Sequence, residues 1–189
     1  MRNSEFEIHP LYEALYIQAL LTKTSSILND VESLNFIWEN ADYVGQNDEE
    51  ILNIFQNIII NVAGISRFFW PAKNSGFYKV RGERLREIYL VNDSNVLKNR
   101  DMRNLIEHFD ENLDDFLNEF NTGSVMLNYT GPSTHIDDTT VFFRAFFYDK
   151  FIFKILNVEY KIEPIIEEIN RIHEILLRQQ EKGERFTLE

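Results

Sequence analysis

Arg103, Asn104 and His108 stand within six residues of one another, and their types suit chemistry on phosphate. An imidazole titrates near neutrality, so it can give or take a proton at physiological pH. A guanidinium offers a planar fork of donors that fits phosphoryl oxygens. The spacing also has a plain structural use. Arg103 and Glu107, and likewise Asn104 and His108, are i,i+4 neighbours on a helix, where such pairs contribute roughly 0.2–0.5 kcal/mol.

Other chemistry is thinly represented. The chain has no Cys, which excludes disulfides, thiolate metal sites and Cys nucleophiles. It has no Gly-rich phosphate loop and no His-Glu-x-x-His pattern. His173-Glu174 lacks the second His and reads as a helix residue. His135, Asp137 and Asp138 are ligand-type groups in a polar stretch without partners at defined spacing. His9 precedes Pro10 at a helix start, a structural position. No metal and no cofactor is expected.

The elements that must position the Arg–Asn…His set are mainly helical. Apolar periodicity predicts helices over about 8–29, 48–69, 79–91, 98–120 and 162–181, with Pro71 and Gly123 as stops. In the fourth, Met102, Leu105, Ile106, Phe109, Leu113, Phe116, Leu117 and Phe120 recur at spacings of three and four. At about 100° per residue from Met102, Arg103 lies near 100°, Glu107 near 140°, Asn104 near 200° and His108 near 240°. All four face away from the apolar stripe, and Arg103 and His108 are about 140° apart, so one straight helix does not converge them. Residues 121–139 read as polar loop. The β-branched and aromatic runs 141–147 and 151–156, split by Tyr148-Asp149-Lys150, predict a β-hairpin. The expected fold is mainly α: a compact bundle of about five helices with one late β-hairpin. A single domain is expected over residues 1–189, with a helical body at about 8–120 and the hairpin and final helix at about 139–181. Ile58, Phe109 and Phe116 centre their apolar stripes and should be buried.

The string Arg103-Asn104-Leu105-Ile106-Glu107-His108, followed by Phe109-Asp110-Glu111, resembles the signature of the HEPN superfamily: an Arg, commonly followed by Asn, and a His separated from that Arg by four to six residues. Arg2 and His9, with Asn3 after the Arg and six residues between, also satisfy that pattern, but they stand ahead of the first predicted helix and not on a late one. The likeness extends to a late helix in a helical domain, and to the uncharacterised HEPN-like subset with a hairpin and helix after it. It implies a metal-independent endoribonuclease of a toxin–antitoxin or phage-defence type, or a catalytically inactive relative. By that resemblance Arg103, Asn104 and His108 are the catalytic set, assembled across a homodimer. Arg103 would stabilise phosphoryl charge, Asn104 would orient the His or a phosphate, and His108 would move a proton. Lys98 and Arg100 would draw RNA in.

Charge qualifies this reading. The net charge is −12, which argues against general nucleic-acid binding. Residues 73–103 nonetheless carry eight basic groups against four acids, a local patch able to meet a phosphate. The alternative is a non-catalytic helical protein that dimerises and binds or regulates a protein partner, such as an antitoxin. The N-terminus lacks an apolar signal core, and no uninterrupted apolar run approaches the roughly 18 residues that a membrane helix needs. A cytoplasmic location without membrane partners is the corresponding expectation.

Overall fold

The computed structural model describes residues 8–40, 48–99, 101–102, 104, 108–119, 123–135 and 139–186. Helix α1 (Pro10–Glu39) starts where His9 accepts from the Leu11 N–H, with Pro10 in the first turn where a missing donor costs nothing. The sequence pattern ends this helix near residue 29, yet it continues because Leu34 and Ile37 are also buried. Helix α2 (Asp48–Phe69) opens on Asp48, Glu49 and Glu50, whose charges suit the positive end of the helix dipole. Its two ends fall where the periodicity places them. Ile51, Phe55, Ile58, Val62 and Ile65 are all but inaccessible to solvent. By length and composition α2 could cross a membrane, but 56% of its most apolar window is buried inside the fold, as befits a central packing helix.

Helix α3 (Gly76–Ile88) folds back against the end of α2. Its approach is close because residue 82 is Gly: a Cβ there would stand 2.7 Å from the Phe69 carbonyl oxygen and 2.7 Å from Pro71 Cδ. A short 3-10 turn at Val96–Lys98 follows, capped by the Asn95 side chain. Helices α4 (Phe109–Glu119) and α5 (Ile162–Glu181) complete the five α-helices among the described residues.

The sheet corrects the expected fold class. The chain is largely helical, but in place of one late hairpin it carries a four-stranded mixed sheet. Its strands are β1 (Ser124–Gly131), β2 (Thr140–Phe147), β3 (Ile152–Ile155) and β4 (Val158–Lys161), in that order across the sheet. The predicted hairpin is β2–β3, pairing Phe146 with Phe153. Strand β4 adds a second antiparallel pair, with Tyr160 opposite Phe153. Strand β1 lies parallel to β2, with Asn128 opposite Arg144. It falls within the stretch read as polar loop. It is an edge strand, mostly exposed, with Asn128 and Gly131 diluting its β signal. The expected helix 98–120 also differs. His108 is a turn residue ahead of α4, although His108 N–H bonds to Asn104 O and Asn112 N–H to His108 O across it.

One apolar core cluster joins the helices to the sheet. Phe55 of α2 stacks on Phe146 of β2 at 4.2 Å between centroids and on Phe153 of β3 at 5.7 Å. Ile58 and Phe116 are buried as expected, whereas Phe109 is only partly covered and meets Phe143 edge-on. Phe55→Ala should therefore cost about 3–5 kcal/mol in urea-unfolding experiments; a loss under about 1 kcal/mol would place the core elsewhere. Gly82→Ala gains up to about 1 kcal/mol of helix propensity but collides with backbone. It should destabilise by about 1–2 kcal/mol net, and a stabilised variant would show that α3 can slide away from α2.

Candidate functional site

The structure gives part of the predicted set. Arg100, Arg103 and Glu107 lie outside the described residues. Asn104 and His108 are both exposed and stand one helical turn apart, linked by the 2.9 Å backbone hydrogen bond from His108 N–H to Asn104 O. The Asn112 side chain donates to the His108 carbonyl at 2.5 Å, tying the turn to α4. The His108 ring keeps about half its surface in solvent, with Glu111 Oε2 3.5 Å from Nδ1. Asp110, Glu111, Asp114 and Asp115 make this helix acidic, and it contains no Lys or Arg. A small pocket of about 130 Å³ beside α4 is lined by Asn112, Asp115, Phe116, Glu119, Leu156, Asn157 and Val158. Neither Asn104 nor His108 is in its walls. An open imidazole of this kind can exchange protons with a substrate, but one chain builds no cleft around it among the described residues.

Lys98 is paired with an acid. Its Nζ lies 2.9 Å from Asp93 Oδ1, at the edge of a polar pocket that also includes Trp70 and Arg86. The Trp70 indole N–H donates to the same Asp93 oxygen at 3.2 Å. Hydrogen bonds from Lys98 and Trp70, then the charges of Lys98 and Arg86, hold the Asp93 carboxyl below the usual carboxylate range.

Arg144, which lies within the run 141–147, is not singled out by the sequence pattern. It is buried on β2, and its guanidinium donates to Asn53 Oδ1 at 2.6 Å, Gln56 Oε1 at 3.0 Å and Asn128 Oδ1 at 2.9 Å. Its Nε is buried and finds no partner among the described residues. Burial lowers its pKa, and the charge of Glu49 opposes that effect. The available signal was Asn53 and Gln56, two amide side chains one turn apart on α2.

Among the described residues no group of three or more His, Asp or Glu is arranged to hold a metal ion. His9 is a helix cap. His173 is half-buried on α5, with Nδ1 2.8 Å from Thr24 Oγ1 of α1. With the geometry described, comparison with family models, with curated proteins and with solved structures gives no match.

His173 supplies a pH test. Burial lowers its pKa from the ordinary 6.5, against a smaller opposing effect of Glu174. The unfolded chain therefore takes a proton that the folded chain refuses. Stability should be full above pH 6.5 and fall as pH drops through the lower folded value. Urea midpoints measured on either side of that range should show the loss, and His173→Gln should reduce it. An unchanged pH slope in His173→Gln would assign the acid sensitivity to other groups.

Proposed function

We propose that this chain is a HEPN-like endoribonuclease that cuts RNA as a pair of copies, without a metal. The supporting observation is that Asn104 and His108 present exposed side chains one helical turn apart, outside the core and open to a second chain and a substrate. The His108 imidazole takes the proton from a ribose 2′-hydroxyl, which attacks the adjacent phosphorus. The bond from phosphorus to the 5′-oxygen breaks, and the second copy's imidazole returns a proton to that oxygen. Arg103 binds the phosphoryl oxygens, where a bidentate fork adds both charge and orientation. Asn104 orients the imidazole or the phosphate.

A second reading is favoured by the acids that follow His108 on α4. Asp110, Glu111, Asp114 and Asp115 repel phosphate and suit a basic protein surface. In that case the same face binds a protein partner and performs no chemistry.

Purified chain incubated with varied RNAs in EDTA separates the two. Cleavage should leave 2′,3′-cyclic phosphate ends and spare DNA. His108→Ala should slow it by about 10²–10⁴-fold, the range for a lost proton-transfer group. Arg103→Lys should also be severely impaired, since a point ammonium cannot replace the fork. Sedimentation at micromolar concentration should show a dimer. Wild-type cleavage by His108→Ala would sink the enzyme reading, and a folded dimer inert on every RNA would leave the partner-binding one.

A further inference from the structure

The pocket at the junction of α2 and α3 shares no residue with the Arg–Asn…His set, and its chemistry is its own. It measures about 440 Å³ and is lined by Trp70, Pro71, Ala72, Asn74, Arg86, Asp93 and Lys98, a volume within the range of small-ligand sites. Two cations and one carboxylate line it. The Arg86 guanidinium lies 6.0 Å from the centre of the Trp70 ring and donates to the Phe69 carbonyl at 2.5 Å, so its position is fixed by the helix junction. Lys98 reaches in from the 3-10 turn and pairs with the exposed Asp93 carboxylate. The acids of α3 are engaged elsewhere: Glu83 faces Lys79 at 3.8 Å and Glu87 faces Arg84 at 2.7 Å. More cations line the same junction, with Lys73 over the Tyr78 ring and Arg81 between Phe68 and Tyr78.

We propose that this pocket binds a phosphate ester, with Arg86 and Lys98 as its cations and Asp93 as the intrachain carboxylate that the phosphate displaces. Asp93 accepts from both Lys98 and Trp70, which makes its carboxylate an internal stand-in for the anion. Its side chain is 75% exposed and sits in a turn, so it can swing out at little cost. A phosphate offers more acceptor oxygens and up to twice the charge to the same donors. The shared chemistry is the phosphate ester, whose source is either a free nucleotide or a phosphodiester of single-stranded RNA. The second source rests on the ribonuclease reading, and the first does not.

Two probes titrated into the full-length chain distinguish the sources: uridine 5′-monophosphate, and a fluorescein-labelled 2′-O-methyl oligouridine of about ten nucleotides, which resists cleavage. Trp fluorescence reports the first and anisotropy the second. Binding of either probe should weaken about tenfold or more in Lys98→Ala, the scale of a lost charged hydrogen bond, and persist in Lys98→Arg. Asp93→Asn should tighten it, because the competing charge is gone while an acceptor for Trp70 remains. Lys98→Ala should weaken monophosphate binding whether or not the chain cleaves RNA, so loss of cleavage and loss of this site read out separately. The proposal is overturned if neither probe saturates wild type or Asp93→Asn at millimolar concentration. It is equally overturned if Lys98→Ala binds like wild type, or if Asp93→Asn binds more weakly.

Discussion

The contact on which the rest of the fold depends is the stack of Phe55 on Phe146 and Phe153. A four-stranded sheet of short strands cannot bury both faces by itself, and α2 has more apolar surface than α1 alone can cover. Phe55 answers both needs at one point. Trp38 from the end of α1 extends the cluster, lying 6.4 Å from Phe55 and 5.9 Å from Phe146. Phe151 closes it at the β2–β3 turn with φ of 52°. A Phe in the left-handed region is unfavourable on backbone grounds alone, and here packing against Trp38 and Phe146 offsets it. The sheet is thus held to the helices by aromatic area, which explains why a chain with 16 Phe carries so many of them between residues 142 and 153.

Aromatic area alone does not fix strand register, and Arg144 supplies what it lacks. Its three amide partners come from α2 and β1. Those bonds form together only when β1 is in register with β2 and both sit correctly over α2. Asn128 is opposite Arg144 in the parallel ladder, so a slip of one residue would turn the Asn128 side chain to the other face. It would also leave buried donors unmet, each costing about 1–3 kcal/mol. The connection from Gly131 back to Thr140 is only the eight residues 132–139, short for a return between parallel strands. An edge strand with so little apolar anchorage needs a polar pin.

This also explains which parts of the sequence were readable. Helices α2 and α5 bury one broad stripe each, and periodicity placed their ends at 48–69 and 162–181. Helix α1 buries residues without a clean stripe, with Leu11 and Leu15 exposed and Thr24 buried, so the periodicity stops near residue 29, ten residues before the helix does. Strand β1 was hidden because its reason for being a strand is Arg144, sixteen residues further on. The motif at 103–108 was legible as a set of residue types, while its surroundings were not. That Lys98 lies against Asp93 beside Trp70 is a tertiary fact, produced by α3 folding back across the end of α2.

Charge then decides how the motif could meet RNA. At physiological ionic strength fields decay over about 8 Å, so the local surface matters more than the net −12. Helix α4 carries five acids and no base, four of the acids within the seven residues that follow His108, while the cations of the 73–98 region are gathered at the α2–α3 junction, several of them against aromatic rings. A single copy therefore offers phosphate a poor reception at the imidazole. For cleavage, the missing positive charge has to come from Arg103 and from a second chain. Dimerisation would then be an electrostatic requirement as well as a geometric one: it would bring two guanidinium groups to one phosphate and exclude the water that otherwise screens them.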